Sequence, residues 1–355
     1  MYSNQITSIP TGIFNNLTSL TFLHLYSNQI TSIQEFNNLT SLAYLDLNYN
    51  QITSIQAGAF KNLTSLTYLA LNYNQITSIQ AGAFHNLASL KYLNVNNNQI
   101  TSIQSGAFND LPRLTELNLN SNQIASIQVG TFNDLPSLTT LYLYSNQITS
   151  IQEGAFNNLT SLTYLDLFSN QITSIQRGAF NNLTGLTYLD LHSNQITSIQ
   201  GGAFNNLTGL TYLVLDNNQI TSIQADTFND LPSLTTLELQ NNPISFVSEN
   251  AFQNLPQLAS LDFDMHCGEC DTIPFWRRLK GNQMFSKSVT CNDYDGKKLS
   301  SLQLDDFTGC FIFHQKYRNG SYGNHPSPCW IGVIYYRLNV YLTIYYKRFV
   351  KWFIL

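Results

Sequence analysis

A repeat of 24 residues constrains the fold of this chain more than any other feature. The phrase NQITSIQ recurs with small changes, and its first asparagine returns every 24 residues apart from one step of 22. These asparagines are Asn4, Asn28, Asn50, Asn74, Asn98, Asn122, Asn146, Asn170, Asn194, Asn218 and Asn242. A period between about 20 and 50 residues is typical of solenoids, in which each unit buries its apolar face against its neighbours. Most of the 355 residues should therefore form one elongated stack.

Each unit carries a short strand that is followed by a sharp turn. In the unit that begins at Leu162, the leucines Leu165 and Leu167 point to one face of the strand and Asp166 points to the other. The asparagine after the strand can both donate and accept hydrogen bonds to turn groups that no strand ladder satisfies. A phenylalanine recurs at the same period, as at Phe156 and Phe180. The pattern predicts a concave parallel sheet of eleven strands, an asparagine ladder and a phenylalanine column on the convex side.

The step of 22 residues has a local cause. The segment Ile33-Gln34-Glu35-Phe36 lacks two residues that are present between Ile55 and Phe60. The deletion lies beyond the strand, so we expect it to shorten a convex loop without disturbing the sheet.

Composition excludes several classes of function. Only 10% of the residues are charged and the net charge is −5, which disfavours a nucleic-acid partner. The sequence contains no GxxxxGK[ST] loop and no HExxH motif. His192, beside Asp190 and Asp216, is the only histidine with a suggestive setting, and no activated serine or cysteine accompanies it. We therefore expect no enzyme activity, no catalytic residues, no metal and no cofactor.

The five cysteines are confined to the C-terminal quarter of the chain. Cys267, Cys270, Cys291 and Cys310 fall within one short segment, and Cys329 follows. Such a cluster predicts disulfides that hold a cover over the last apolar face of the stack. Spacing alone leaves three disulfide connectivities open. A zinc site is the competing interpretation. The predicted domains are a repeat array over 1-266, a cysteine-rich cap over 267-310 and an aromatic, basic tail over 311-355.

The two ends of the chain carry weaker signals. Residues 1–10 lack the features of a secretory signal and already lie inside a repeat, which we interpret as an incomplete start. The tail 311-355 has no apolar run of about 18 residues. Two interpretations of the tail stay open: a membrane-proximal segment, disordered or interfacial, and an artefact of translated non-coding sequence.

Comparison of the repeats separates the scaffold from the positions that vary. The leucines, the ladder asparagine and the phenylalanine change little, whereas the outward strand positions differ from unit to unit. Tyrosines on a rigid sheet provide large contact area at low entropy cost. The alternative is that tyrosine suits strands and was copied by duplication. The candidate ligand-binding residues are Tyr44, Tyr68, Tyr92, Tyr142, Tyr144, Tyr164, Asp166, Phe168, Tyr188, Asp190, His192, Tyr212, Asp216 and Glu238.

The carboxylates among these candidates lie toward the C-terminal half of the array. Adjacent strands are about 4.8 Å apart, so neighbouring carboxylates repel one another and favour a positively charged partner. A basic patch on a protein is the expected partner, and Ca²⁺ is the lesser alternative.

The repeated phrases resemble a known family. NQITSIPTGIFNNLTSL and LTYLDLFSNQITSI resemble the typical 24-residue class of extracellular leucine-rich repeat proteins over about three quarters of the chain. They are most similar to the variable lymphocyte receptors of jawless vertebrates and to Slit-like and matrix proteoglycan repeats. The resemblance implies an α/β-type solenoid, namely a horseshoe with a concave parallel β-sheet, an irregular convex side and a disulfide-stapled C-terminal cap.

The cysteine-rich segment resembles the C-terminal cap of the same extracellular proteins. That family shows CxC where this chain has CxxC at Cys267 and Cys270. The resemblance implies disulfides Cys267–Cys291 and Cys270–Cys310, and with them an oxidising compartment.

Family membership implies a non-enzymatic recognition module, secreted or on the cell surface, that binds a protein or a glycan on its concave face. A self-associating matrix or adhesion protein and a cytosolic scaffold are the alternatives. Sequons that permit N-glycosylation of a secreted chain begin at Asn16, Asn38, Asn62, Asn158, Asn182, Asn206 and Asn319.

Overall fold

The computed structural model describes residues 1–10, 12–33, 36, 39–265, 267, 275, 289–291, 297–298 and 301. Nineteen short strands are defined within these residues. They are β1 (Phe22–His24), β2 (Tyr44–Asp46), β3 (Tyr68–Ala70), β4 (Ser78–Ile79), β5 (Tyr92–Asn94), β6 (Ser102–Ile103), β7 (Glu116–Asn118), β8 (Thr140–Tyr142), β9 (Tyr164–Asp166), β10 (Ser174–Ile175), β11 (Tyr188–Asp190), β12 (Ser198–Ile199), β13 (Tyr212–Val214), β14 (Ser222–Ile223), β15 (Thr236–Glu238), β16 (Phe246–Val247), β17 (Ser260–Met265), β18 (Val289–Cys291) and β19 (Lys297–Lys298).

One sheet runs the length of the stack. Its order is β1-β2-β3-β5-β7-β8-β9-β11-β13-β15-β17-β18-β19. The first eleven strands are parallel and in register by one repeat, so that Leu165 lies between Leu141 and Leu189. Strand β18 continues the parallel sheet beside β17, and β19 is antiparallel to β18. The predicted sheet of eleven repeat strands is confirmed.

The core lies between this sheet and a column of phenylalanines. The strand leucines, including Leu165 and Leu167, are fully buried. Phenylalanines from Phe14 to Phe252 stack with ring centroids 5.8 to 6.3 Å apart. Parallel strands are spaced by only about 4.8 Å, so each unit is wider at its phenylalanine than at its strand. The stack therefore bends with the sheet on its concave side, as predicted.

The asparagine ladder is also present. Asn146 accepts a hydrogen bond from the backbone N–H of Ile124 at 3.0 Å. Its amide donates to the carbonyl oxygens of Leu119 in the preceding unit and of Leu143 and Tyr144 in its own unit, at 3.1, 3.0 and 3.3 Å. One buried side chain thus joins two successive turns.

The convex side is irregular, as predicted. In the described residues it consists of turns and of the strand pairs β4–β6, β10–β12 and β14–β16. The shortened unit keeps its register, because Phe22 pairs with Tyr44 across β1 and β2. Phe36 still stacks between Phe14 and Phe60, at 6.1 and 6.3 Å.

The C-terminal end of the stack is covered in part by described residues. Phe275 packs against Phe252 and Phe263, with ring centroids 6.0 and 6.1 Å away. A disulfide joins Cys267 to Cys291 with the Cα atoms 5.4 Å apart, which confirms this pairing and contradicts a zinc site at these two residues.

Several predictions fall outside the described residues. These are Cys270, Cys310, Cys329, the tail 311-355 and the sequons at Asn38 and Asn319. The division into 1-266, 267-310 and 311-355, and the likeness of the second part to a cysteine-rich cap, stay predictions. In the described part of the chain, no helix combines the length and apolar character needed to cross a bilayer.

Candidate binding face on the concave sheet

Side-chain alternation along each strand creates the face that the candidate residues share. In β11, Leu189 is fully buried while Tyr188 on the opposite side of the strand is partly exposed. Because the strands are in register, residues at equivalent positions form columns across the sheet. One column contains Tyr164, Tyr188 and Tyr212, and the next contains Asp166, Asp190 and Val214.

The central part of the face is a continuous aromatic cluster. Tyr142 contacts Tyr164 with ring centroids 5.6 Å apart, and Tyr164 stacks on Tyr188 at 4.7 Å. Tyr188 stacks on Tyr212 at 5.2 Å. This row of four tyrosines spans β8, β9, β11 and β13.

A second aromatic row runs beside the first and is joined to it through Tyr142. Tyr144 lies 6.2 Å from Tyr142 and 6.0 Å from Phe168. Phe168 stacks on His192 at 4.1 Å with an angle of 10° between the planes. The seven rings of the two rows form one surface, which we call the central aromatic cluster.

The remaining tyrosine candidates form a separate group near the start of the array. Tyr44 stacks on Tyr68 at 4.6 Å, and Tyr68 lies 6.2 Å from Tyr92. Glu116 and Thr140 occupy the same column between Tyr92 and Tyr164, and they separate the two groups. The candidates therefore share one face but not one contiguous patch.

The aspartates on this face have a structural task that the sequence analysis did not predict. One oxygen of Asp166 accepts the backbone N–H of Phe168 at 3.0 Å, and Asp190 accepts that of His192 at 3.0 Å. Asn94 and Asn118 make the equivalent bond in their own units. A side-chain acceptor bonded to the N–H two residues later stabilises a turn.

The same aspartates are more covered than an outward position suggests. Asp166 and Asp190 are only 8% and 7% exposed, and Asp190 also accepts the hydroxyl of Tyr188. Burial is the main cause that raises the pKa of Asp166 to about 6, and the charge of Asp190 raises it further. The hydrogen bond from Phe168 and the nearby His192 both lower it. Ionised Asp166 therefore destabilises the folded state at neutral pH.

The tyrosine hydroxyls stay protonated over the physiological range. Burial is the main cause that raises the pKa of Tyr164 to about 12, with Asp166 and Asp190 adding to it. Burial and then Asp190 also raise the pKa of Tyr188, whose hydroxyl donates to Asp190 at 3.3 Å. A hydrogen bond to Glu238 is the first cause that raises the pKa of Tyr212 to about 12.

His192 is held by the fold. Its Nδ1 lies 2.7 Å from an oxygen of Asp190, and its ring stacks on Phe168. This arrangement fixes the ring as part of the central aromatic cluster.

The accessible carboxylates lie beyond the cluster. Asp216, Glu238, Asp262 and Asp264 are each partly exposed. Residues 1–265 contain 4 Lys and Arg against 15 Asp and Glu, a formal charge of −11 that concentrates acidity in the array. Within the described residues no group of three or more His, Cys, Asp or Glu side chains is arranged to hold a metal ion.

Sequence reasoning missed one aromatic pair on the rim of the face. Tyr49 and Tyr73 stack with centroids 4.3 Å apart and an angle of 6°, and they are 52% and 43% exposed. Both precede a ladder asparagine and have left-handed backbones, with φ of 50° and 53°. The signal available in the sequence is tyrosine at the position before the ladder asparagine, where the other units carry serine or asparagine.

A groove of about 990 Å³ lies away from the concave face, on the segments that lead from the phenylalanine column back to the sheet. Its lining includes Pro112, Asp134 and Pro136. His85 and Asp110 also line it and form an ion pair at 2.6 Å when the imidazole is protonated. None of the candidate residues contributes to this groove.

Comparison with known families agrees with this geometry. The profile described as "BspA type Leucine rich repeat region (6 copies)" matches residues 53–182 and 149–280. The profile described as "Leucine rich repeat" matches residues 2–52. The chain belongs to the leucine-rich repeat family. No curated protein matches it significantly.

Solved structures add three similar folds. A chain of the Toll–Spatzle complex of Drosophila superposes with a TM-score of 0.70 at 24% identity, over 81% of this chain and 39% of the Toll-complex chain. A chain of the octameric complex of Latrophilin 3, Unc5D and FLRT2 gives 0.66 at 25% identity, over 86% and 94%. An internalin of Listeria monocytogenes gives 0.59 at 28% identity, over 82% and 78%. The present chain thus spans about two fifths of the length of the Toll-complex chain.

Proposed function

We propose that this chain is a non-enzymatic recognition module that binds a protein ligand through the central aromatic cluster of its concave face. The observation that carries the proposal is the continuity of seven partly exposed rings on a sheet whose other side is fixed by buried leucines. Rigid aromatic side chains lose little entropy on binding and dominate the energy of many interfaces.

The carboxylates beside the cluster set the chemistry of the partner. Asp216 and Glu238 lie at its C-terminal edge, in an array with a formal charge of −11. A partner with a basic patch at the matching position would associate faster and with greater specificity. The same charge disfavours nucleic acid.

The setting that fits this proposal is extracellular or cell-surface. The Cys267–Cys291 disulfide supports it, because structural disulfides persist in oxidising compartments. The similar chain in the octameric complex of Latrophilin 3, Unc5D and FLRT2 belongs to a protein assembly, which is consistent with a protein ligand.

The test is a triple substitution that the fold itself already accommodates. Thr140 and Thr236 occupy the tyrosine column in their own units, so Y164T/Y188T/Y212T replaces the rings with a residue native to that position. The full chain is displayed as a tetramer against an array of secreted and cell-surface ectodomains. Each ectodomain that binds is then measured against the variant, and we expect a loss of affinity of about 100-fold or more.

The matched control changes the same three units on another face. Gln171, Gln195 and Gln219 are exposed on the flank of these units, and Q171T/Q195T/Q219T should bind like the parent chain. Equal affinity of the parent and the tyrosine variant would contradict the proposal, as would equal loss in both variants.

A further inference from the structure

The aromatic pair Tyr49–Tyr73 is not required by the fold. Eleven units have a left-handed residue just before the ladder asparagine, with φ between 50° and 55°. Nine of these residues are serine or asparagine, and only two adjacent units carry tyrosine. Bulky side chains are unusual in this backbone region, whereas asparagine tolerates it well. Residues held in an unfavourable conformation are a reason to look for a function.

The pair is open on its outer faces. Each ring covers one face of the other at 4.3 Å. The next positions along the same rim are Ser27 and Asn97, which carry no ring that would continue the stack, and Tyr49 and Tyr73 are 52% and 43% exposed. A flat or puckered ring of a ligand can continue the stack at either end.

The chain segments at the pair are polar and uncharged, and the carboxylate that precedes them, Asp46, is 6% exposed and accepts the backbone N–H of Asn48 at 3.1 Å. The three segments 47–52, 71–76 and 95–100 read LNYNQI, LNYNQI and VNNNQI and contain no ionisable group apart from the two tyrosines. Asn48, Asn72 and Asn96 are partly exposed beside the rim. The Oδ1 atoms of Asn48 and Asn96 are buried, so these two side chains can offer a sugar hydroxyl only their amide N–H donors, whereas Asn72 can both donate and accept.

We propose that the Tyr49–Tyr73 pair and the asparagines beside it form a binding site for a neutral glycan, distinct from the central aromatic cluster. A pyranose ring places its C–H face on the outer face of a tyrosine, and its hydroxyls accept hydrogen bonds from the amide N–H groups of the asparagines. The two half-exposed rings offer about 200 Å². This area suits one or two sugar rings and is well below the roughly 800 Å² per partner of a stable protein interface.

The experiment uses the full chain on a printed array of neutral hexose and N-acetylhexosamine oligosaccharides together with sialylated and sulfated ones. The chain is tetramerised, because single sugar rings bind weakly and multivalency raises the apparent affinity. We expect binding to at least one neutral series. Y49N/Y73N, which installs the residue native at Asn97, Asn217 and Asn241, should weaken that binding by about tenfold or more, with an unchanged or higher melting temperature.

Two controls separate this site from the concave one. Y49F/Y73F keeps the stack and should retain most of the binding, whereas Y164T/Y188T/Y212T removes the central rings and should leave glycan binding intact. No binding to neutral glycans, binding to charged glycans alone, or equal loss in Y164T/Y188T/Y212T would each overturn the proposal. Loss of a protein ligand in Y49N/Y73N without any glycan binding would assign the pair to a protein interface and overturn it as well. The protein-binding proposal is judged independently, by the array of ectodomains.

Discussion

At the scale of single residues, the ladder asparagines carry the connections between units. Asn146 satisfies one N–H and three carbonyl oxygens, and two of these four groups belong to the preceding unit. Shortening this side chain leaves several buried polar groups without partners. Substitution of one ladder asparagine should therefore weaken the contact between two successive units.

We expect Asn146→Ala to lower the free energy of unfolding by about 1–3 kcal/mol, because buried polar groups lose their partners. Urea unfolding followed by circular dichroism measures the change. Ser145→Asn is the control, since asparagine is native at the same left-handed position in Asn97, and it should leave the midpoint unchanged. A similar midpoint for Asn146→Ala and the parent would contradict a structural ladder.

Asp166 has two opposing effects on stability, one from its turn hydrogen bond and one from its buried charge. Its carboxylate accepts the N–H of Phe168, yet burial raises its pKa to about 6. A raised pKa means that the folded state favours the protonated form. The stabilisation of the folded state by protonated Asp166 is fully present below the unfolded pKa of about 4 and is lost as the pH rises through about 6.

Asp166→Asn should keep the turn acceptor, as Asn94 and Asn118 do, and remove the charge. We expect this variant to be more stable than the parent at pH 7.5 by about 1–2 kcal/mol, after allowance for solvent screening. The gain should shrink between pH 6 and pH 4. Thermal melting over this pH range tests it, and a gain that is independent of pH would show that charge is not the cause.

At the scale of elements, the phenylalanine column sets the width of each unit on the convex side. Phe156 is 1% exposed and stacks between Phe132 and Phe180, at 6.1 Å from each. The rings hold the units farther apart here than the strands do, and this difference produces the curvature of the sheet. Packing and shape thus depend on the same side chains.

Phe156→Ala should create a cavity in the column and cost about 3–5 kcal/mol of stability. Phe156→Leu fills part of the volume and should cost less. Denaturant unfolding of the two variants ranks them, and an equal cost for both would mean that the cavity does not determine the loss.

Repeat comparison predicted these elements well because the period repeats every constraint about eleven times. The strand register, the ladder, the phenylalanine column and the harmless deletion before Phe36 all follow from spacing. The roles of Asp166 and Asp190 could not be predicted, since accepting a turn N–H depends on local geometry. The break at Glu116 and Thr140 is visible in sequence, but its division of the tyrosines into two groups needs the distances between rings.

At the scale of the whole molecule, the repeats share one backbone architecture, but their exposed side chains differ along the array. Tyr49 and Tyr73 lie on a neutral rim near the start of the array, the central aromatic cluster occupies the middle, and Asp216 and Glu238 lie toward the end. Leucines behind the sheet keep these regions at fixed separations. Different ligands, or different parts of one ligand, can therefore be bound in a fixed order along the stack.

The proposed extracellular setting predicts the number of reactive thiols in the denatured, unreduced full chain. Of five cysteines, Cys267 and Cys291 are joined, so three thiols remain, or one if Cys270 and Cys310 also pair. Titration with a thiol reagent counts them, and reduction should restore five. Five reactive thiols before reduction would favour the cytosolic scaffold.

The most direct test of the central claim is hydroxyl-radical footprinting of the full chain, free and bound to an ectodomain identified by the array. In the free chain, Tyr164, Tyr188 and Tyr212 should be oxidised while Phe156 and Phe180 are protected, because only the tyrosines face solvent. Binding should reduce oxidation of the three tyrosines by about fivefold or more. Unchanged oxidation of these tyrosines in the complex would contradict the concave face as the binding surface.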